Sequence, residues 1–378
     1  MLCRRFRVWL WIALALSGGV APAADDRWSS APAKPAGDVV LRVVSVEDEN
    51  PVAAGKAAAE ALKRAMGHSP LKAVVVSECF EDQENKELLL KGITSVLPRQ
   101  IVVGGATYGS FTQAGCTDYD SVCLLGIGGE GLSVSAALET EMGTAKLSFD
   151  DHQAEIRRRL HVAGKQLADK LPRTEEDRLV ILIADAHSPK NQSLVEGLQQ
   201  VMGKTFPLTG GCANKNAGQT FVYFDGKARP DSAVALVLAG DFRVALAGRQ
   251  ANENDAVIAT AKQGAEEALA KTDGQPFAVL AFNCAGRRSK LKKYEDELAA
   301  MQAAIGKEMP LFGCYCAGEM GPVDVAEKGE ALSGGAGWRP EGKSARSPVG
   351  VASQRAKVSG VWSHRHSSRV TASIDRTW

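Results

Sequence analysis

One pattern occurs three times along this chain and constrains its fold more than any other feature. A short apolar stretch that ends in small or thiol residues is followed, roughly 25 residues later, by a segment that contains glycine. The apolar stretches are Ala73–Cys79, Val180–Ala186 and Val279–Ala285, and the glycine segments are Val103–Gly109, Thr209–Lys215 and Phe312–Glu319. A period of about one hundred residues is too long for a solenoid unit. It predicts a supersecondary block that is used three times.

Helical patterns lie between these segments, so strands and helices alternate along the chain. The predicted helices of the three blocks are Gln83–Val96, Asn191–Met202 and Ser289–Ile305. Alternating strands and helices predict an α/β fold with strand–helix–strand crossovers, and the glycine-rich hairpin at Gly128–Gly131 adds antiparallel neighbours. We therefore expect about three pseudo-repeats of a strand–helix–strand unit, which together form mixed sheets.

The three apolar strands are expected to hold equivalent central positions in their units. They span Ala73–Ser77, Leu179–Asp185 and Phe277–Asn283, and their continuous apolar character fits burial on both faces of a sheet. We predict that residues 38–250 contain the first two repeats and residues 251–338 the third.

The N-terminus has the composition of a secretory signal peptide. Three arginines precede the apolar run Val8–Leu16, and Ala21-Pro22-Ala23 fits an A-x-A cleavage site. The apolar run is too short to span a bilayer, and no other stretch reaches that length. We therefore predict a signal peptide over residues 1–23, cleavage near Ala23, a periplasmic or secreted protein, and no transmembrane segment after cleavage.

Two further segments differ in composition from the body of the chain. Residues 24–37 are rich in Pro, Ala and Ser and are predicted to be a linker. Residues 339–378 hold eight Lys or Arg, two acidic residues and eight Ser. Because so polar a segment buries too little apolar surface to order itself, we predict a basic, Ser-rich, disordered tail.

Charge and motifs exclude several classes of function. Residues 24–338 carry 34 basic and 42 acidic side chains, and a mildly acidic body argues against binding to nucleic acid. The body has no P-loop, and its G-x-G-x-x-G run at Gly126–Gly131 lies in the predicted β-hairpin instead of between a strand and a helix, so no nucleotide cofactor is expected. Cys314-x-Cys316 lacks a second pair at zinc-site spacing, and the histidines form no HExxH motif, so no metal is expected.

The third block departs from the other two by polar residues at the ends of both its strands. Arg287 follows the first strand and Glu319 follows the second. Ligands of α/β sheets bind at the carboxyl ends of strands, where an Arg and a Glu could hold the carboxylate and ammonium of an amino acid. The alternative is a structural Arg–Glu ion pair. The predicted ligand-binding residues are Asn214, Cys284, Arg287, Tyr315, Cys316, Gly318 and Glu319.

At these residues the chain resembles a known family. Asn283–Arg288 (NCAGRR) and Pro310–Val323 (PLFGCYCAGEMGPV) resemble the C-terminal half of the FIST family, the F-box and intracellular signal transduction domain. Thr209–Gly248 resembles the end of its N-terminal half. The resemblance implies a sensory domain that binds small ligands such as amino acids, beside or together with a signalling effector.

These observations lead to one main functional hypothesis and two alternatives. The main hypothesis is an exported, non-enzymatic sensory protein that binds a small polar ligand, such as an amino acid or small carboxylate, and signals through a separate protein. The first alternative is a thiol-dependent enzyme that uses Cys284 or Cys316. The second is a structural protein without a ligand.

Overall fold

The computed structural model describes residues 26–34, 37–185, 191–214, 220–272 and 274–322, and the backbone of Ala331–Gly334 and Arg355–His364. The first part of the chain forms β1 (Arg27–Ser29), β2 (Val40–Glu47), α1 (Pro51–Met66), β3 (Leu71–Glu78), α2 (Gln83–Thr94), β4 (Val102–Ala106), β5 (Ser110–Thr112), β6 (Gly115–Thr117), β7 (Ser121–Gly128) and β8 (Leu132–Glu139). The middle part forms α3 (Phe149–Asp169), β9 (Asp177–Ala184), α4 (Gln192–Met202), β10 (Leu208–Cys212), β11 (Val222–Phe224), β12 (Lys227–Arg229), β13 (Ala233–Gly240) and β14 (Phe242–Leu246). The last part forms β15 (Arg249–Gln250), α5 (Asn254–Ala270), β16 (Pro276–Cys284), α6 (Ala285–Arg288), α7 (Tyr294–Ile305), β17 (Leu311–Cys316), β18 (Glu319–Pro322), β19 (Ala331–Gly334) and β20 (Arg355–His364).

These strands form three mixed sheets with one shared plan. Sheet 1 has the order β12-β11-β4-β3-β7-β2, sheet 2 the order β1-β8-β13-β9-β10-β18-β19, and sheet 3 the order β14-β20-β16-β17-β5-β6. The central strands β3, β9 and β16 pair in parallel with the glycine strands β4, β10 and β17. On its other side each central strand pairs antiparallel with one further strand: β7, β13 or β20. The predicted α/β triplication and the central position of the three apolar strands are confirmed.

After each glycine strand, the chain crosses into the sheet of another unit. Strand β5 pairs with β17 of sheet 3, β11 pairs with β4 of sheet 1, and β18 pairs with β10 of sheet 2. Each unit therefore adds a strand to one neighbour and receives a strand from the other, in a closed cycle. This exchange brings the three central strands and the three glycine strands around one common centre.

The two faces of each sheet pack against different partners. Helices α1 and α2 cover the outer face of sheet 1, α3 and α4 cover that of sheet 2, and α5 and α7 cover that of sheet 3. The inner faces pack against one another in a single shared apolar core, which includes Val75, Val103, Ile181, Leu236, Leu280 and Phe312. Because side chains alternate between the two faces of a strand, apolar strands of this kind supply both cores at once.

The helices begin where capping residues favour them. Helix α1 starts with Pro51 at its first turn, and the side chain of Asn50 accepts a hydrogen bond from the N–H of Ala53. Asp82 caps α2 in the same way by accepting from the N–H of Asn85. The helix predicted over Ser289–Ile305 begins later than predicted: the short α6 ends at Arg288, and α7 begins at Tyr294 and ends at Ile305.

The segments predicted to lie outside the fold contribute strands to it. Within the predicted linker, β1 pairs with β8 at the edge of sheet 2. Within the predicted disordered tail, β20 lies between β14 and β16 in sheet 3. The physical reason is the strand-forming run VSGVW (Val358–Trp362), and β20 satisfies backbone groups of β16 that an open edge would expose. The predicted division of the body at residue 250 stays a prediction.

The predicted signal peptide, residues 1–23, lies outside the described residues. Among the residues that the structure describes, no helix combines the length and the apolar character needed to cross a membrane.

Candidate functional site

A pocket lies where the inner faces of the three sheets meet. The space free of protein atoms in it is about 270 Å³, part of which is open to solvent, and the volume open to the centre of a water molecule is about 20 Å³, which is room for roughly one ordered water. Its lining comes from all three units: Val75, Val76, Ser77, Gly105, Ala106, Thr107, Ile183, Gly211, Cys212, Ala213, Phe282, Phe312, Cys314 and Cys316. A ligand of this pocket must therefore be small.

Equivalent positions of the three units carry different chemistry in this pocket. Ser77, Ile183 and Phe282 occupy the same place in their central strands, each in register with the residue that follows the first glycine of its neighbour strand. The first unit thus presents a hydroxyl, the second an aliphatic group and the third an aromatic ring. The repeat supplies the shape of the pocket, and the differences between the copies give its walls different chemistry.

The first unit contributes a buried cluster of hydroxyl groups. The Oγ of Ser77 lies 2.8 Å from the Oγ1 of Thr107 and 2.7 Å from the Oγ of Ser110. The Thr107 hydroxyl donates to the carbonyl of Glu78 at 3.2 Å. All three side chains are at most 5% exposed, so they form a preorganised polar wall inside an otherwise apolar centre.

Another part of the lining, the thiol wall, carries thiols from the second and third units. Cys314 and Cys316 lie on the same face of β17, with their Sγ atoms 3.5 Å apart, and the Sγ of Cys212 accepts from the Nδ2 of Asn191 at 3.2 Å. Burial raises the pKa of Cys212 to about 12. The hydrogen bond that the Cys316 thiol shares with Cys314, together with burial, raises the pKa of Cys316 well above its usual value. Cys212 and Cys316 are therefore protonated at neutral pH, which weighs against a thiol-dependent enzyme that uses Cys316, since the thiolate is the nucleophile.

The sequence suggested that Arg287 and Glu319 face one ligand site, but Arg287 is paired elsewhere. Arg287 is fully buried, and its guanidinium donates to the carboxylate of Glu297, to the Thr260 hydroxyl at 3.0 Å and to the carbonyl of Val257. These partners belong to the helix layer outside sheet 3. Arg287 therefore forms a structural Arg–Glu ion pair, and its partner is Glu297.

Tyr315 belongs to the same buried network as Arg287. Its hydroxyl donates to the Oε2 of Glu297 at 2.8 Å, and the Nδ2 of Asn283 donates to Oε1 at 3.1 Å. Strand alternation explains the separation from Cys316, because adjacent residues of β17 point to opposite faces of sheet 3. The structure thus divides the predicted site between an outer network, which holds Arg287 and Tyr315, and the central pocket, which Cys316 lines.

The remaining predicted residues lie near the pocket without lining it. The carbonyl of Gly318 accepts from the N–H of Cys212 at 2.8 Å, and the N–H of Asn214 donates to the carbonyl of Ala106 at 2.8 Å. Glu319 is fully buried on β18; its charge contributes to the raised pKa of Cys212 and of the half-buried Cys284. These residues connect strands of different units around the pocket.

Sequence reasoning missed the hydroxyl wall. Ser77 and Thr107 were not predicted as site residues, although one signal was present: Ser77 ends an otherwise apolar buried strand, and Thr107 follows the Gly104-Gly105 pair. It also missed a buried cluster at the end of β3, where Lys86 lies 3.4 Å from Glu78 and the Tyr223 hydroxyl donates to the same carboxylate. That cluster joins the second unit to the first.

Comparisons with known proteins identify the family. No curated protein matches the chain. Among solved structures, the crystal structure of cyanuric acid hydrolase from A. caulinodans superposes with a TM-score of 0.41 at 11% identity, covering 87% of this chain and 100% of that chain, a likeness from which nothing about function follows. The family model of the FIST N domain matches residues 72–258, and that of the FIST C domain matches residues 234–322. The chain therefore belongs to the FIST family of signal-transduction sensory domains, as its motifs predicted.

Proposed function

We propose that this protein is a sensory ligand-binding protein whose small ligand occupies the central pocket between the three sheets. The observation that carries the proposal is the convergence of all three units on one pocket with a hydroxyl wall and a thiol wall. A ligand at this position would contact every unit, so its binding free energy would favour one arrangement of the whole ring of sheets. That coupling is what a sensory domain requires in order to report occupancy.

The lining favours a small and uncharged ligand. None of the residues that line the pocket in the described part of the chain carries a charge. An amino acid or small carboxylate, the ligand expected from the sequence, would find hydroxyl donors at Ser77 and Thr107 but would need a counter-charge from beyond the lining. Arg287 is paired with Glu297 and is therefore not available as that counter-charge, and Glu319 has the same sign as a ligand carboxylate. The chemistry of the lining favours small neutral amides and alcohols, and their entry would require the pocket to widen beyond the space for roughly one water that it has here.

A thermal-shift screen tests the proposal. The purified protein is heated with small neutral amides, small alcohols, amino acids and small carboxylates, each added separately. Because a ligand that binds only the folded state stabilises it by RT ln(1 + [L]/Kd), saturation to 100 times Kd should add about 2.7 kcal/mol. We expect a stabilising compound among the neutral molecules. If no compound of any class raises the melting temperature, the protein is not a small-ligand sensor of this kind.

A pair of variants places the ligand in the pocket. Thr107→Val removes a hydroxyl from the wall and should weaken the binding of the stabilising compound at least tenfold, which is about 1.4 kcal/mol in binding free energy. Thr112→Val is the matched control, because Thr112 is equally buried in the adjacent β5 but does not line the pocket. Each shift is measured against the melting temperature of the same variant without ligand. Equal affinity in both variants would place the ligand elsewhere.

We further propose that the protein is exported to the periplasm or secreted, and that it signals through a separate protein. The support for export is the charge and apolar pattern of residues 1–23 with Ala23 at the end of an A-x-A site. Expression in a secreting host should yield a mature chain that begins at Ala24, as read by intact mass. Ala23→Leu should accumulate the uncleaved precursor, whereas Ala33→Leu, beyond the site, should be processed normally. Full-length protein in the cytosol would contradict export.

A further inference from the structure

Three thiols lie together on the inner face of sheet 3, at the carboxyl ends of two neighbouring strands. Cys314 and Cys316 lie on β17 with their Sγ atoms 3.5 Å apart. Cys284, the last residue of β16, is the direct register partner of Cys316. Since Phe282 lines the pocket and side chains two residues apart share a face, Cys284 lies on the same side of the sheet as the other two.

The geometry distinguishes between the two pairs that Cys316 could form. Neighbouring strands lie about 4.8 Å apart, so the Cα atoms of Cys284 and Cys316 fall within the range of roughly 4.4–6.8 Å that disulfides adopt. Cys314 and Cys316 are two residues apart on one strand, which separates their Cα atoms by about 6.6 Å, at the upper limit of that range. The pair between the strands is therefore the one that closes with less movement of the backbone.

Access also selects Cys284 as the first thiol to react. Cys314 and Cys316 are 2% and 3% exposed, whereas Cys284 is half-buried. The Sγ of Cys284 accepts hydrogen bonds from the backbone N–H groups of Gly286 and Arg287, which stabilise negative charge on sulfur. A reagent from solvent thus meets Cys284, and Cys316 lies behind it as a resolving thiol.

We propose that Cys284 and Cys316 form a reversible disulfide by exchange with a small-molecule disulfide such as oxidised glutathione. The thiolate of Cys284 attacks one sulfur of the reagent, forms a mixed disulfide and releases one thiol. The thiolate of Cys316 then attacks the Sγ of Cys284 and releases the second thiol. The protein loses two protons and two electrons, and the reagent is reduced to two thiols, so the exchange is balanced.

The groups around Cys284 make this exchange slow at neutral pH. Burial is the main cause that raises the pKa of Cys284 to about 12, and the charge of Glu319 on β18 acts in the same direction. The backbone N–H groups of Gly286 and Arg287 lower this pKa, whereas Cys316 on β17 raises it. The guanidinium of Arg287 is directed to Glu297 and does not compensate. Because only the thiolate attacks, the rate should rise about tenfold per pH unit between pH 7 and pH 9.

The disulfide would also change the pocket. The Sγ of Cys316 packs directly against Gly211 in the pocket wall, and the bond to Cys284 would draw it toward β16. We therefore expect the oxidised protein to bind the ligand with altered affinity. This consequence rests on the proposed function, whereas the crosslink itself does not, and the experiment below detects the crosslink by mass alone.

The experiment treats the folded, full-length protein with oxidised glutathione at pH 7, 8 and 9, followed by alkylation and peptide mapping by mass spectrometry. We expect a peptide pair linked through Cys284 and Cys316, formed about tenfold faster per pH unit and lost on addition of dithiothreitol. Cys284→Ala and Cys316→Ala should each abolish the linked pair. Cys116→Ala is the matched control, since Cys116 is a partly exposed thiol on β6, outside the cluster, and should leave the link unchanged.

Each contrary outcome overturns the proposal. A link between Cys314 and Cys316 would contradict the assignment from strand geometry. A stable mixed disulfide at Cys284 would show that Cys316 does not resolve it. No reaction at Cys284 under conditions in which Cys116 is modified would show that the thiol cluster is closed to disulfides. Retention of melting temperature by the alanine variants separates these results from loss of the fold.

Discussion

Arg287→Leu is expected to destabilise the fold by about 3–5 kcal/mol, the cost of breaking a buried ion pair by removing one partner. The guanidinium of Arg287 and the carboxylate of Glu297 are 0% and 1% exposed. Without the arginine, Glu297 keeps the hydrogen bonds from Tyr315 and Asn283, and its negative charge stays buried without the cation that paired with it. Urea unfolding of the purified variant and the wild type, followed by circular dichroism, measures the difference.

Two controls assign this loss to the buried charge. Arg158→Leu removes an arginine from an exposed pair with Glu155, in which the arginine side chain is 64% exposed, so little change is expected. Arg287→Leu combined with Glu297→Leu should recover part of the loss, because no charge is then left unpaired. If Arg287→Leu unfolds like wild type but fails to bind a ligand that wild type binds, Arg287 is a ligand residue, as the sequence suggested, and the structural assignment is wrong.

The sequence predicted the units of the fold better than their assembly. The runs around Val75, Ile181 and Leu280 are long and apolar on both faces. Their local sequence alone therefore predicts central strands. The glycine segments were visible for the same reason. The exchange of β5, β11 and β18 was not predictable, because these strands are three or four residues long and nothing local specifies which sheet a short strand joins.

The residues of the central pocket depend on how the units assemble, which the local sequence does not specify. Cys316 was predicted as a site residue at a strand end, and it lines the pocket. Arg287 and Tyr315 were grouped with it by proximity in sequence, but the alternation of side chains along β17 and the position of α6 direct them to the helix layer. Ser77 and Thr107 belong to the first unit, and only the closed cycle of sheets brings them opposite the third.

The repeat could be recognised in the sequence because glycine is required where neighbouring strands approach each other closely. Gly104, Gly210 and Gly313 occupy equivalent places in β4, β10 and β17. A Cβ on Gly210 would lie against the backbone carbonyl of Leu182, and one on Gly104 against that of Val76, while one on Gly313 would meet the ring of Phe111. The three glycines thus allow the parallel strand pairs and the incoming β5 to approach the centre.

Gly210→Ala is therefore expected to cost about 2–6 kcal/mol. Gly210 has φ +151°, a conformation that L side chains rarely adopt, and such strain costs about 1–3 kcal/mol. Overpacking against the carbonyl of Leu182 adds a further 1–3 kcal/mol or so, and it does so in the parallel pair of β9 and β10 that forms the centre of sheet 2. The measurement is the free energy of unfolding in urea, with the yield of soluble protein as a second readout.

Gly203→Ala is the matched control, because it separates strain from close approach. Gly203 also has a positive φ, +100°, but no described atom lies within 4 Å of its added Cβ. It should therefore show the strain alone and remain well folded. Gly104→Ala should resemble Gly210→Ala, since it has the same φ and an equivalent clash with Val76. Equal costs for Gly203→Ala and Gly210→Ala would mean that the strands can separate freely at this point, and the closed ring of three sheets would then not be the rigid unit that a ligand at its centre could bias.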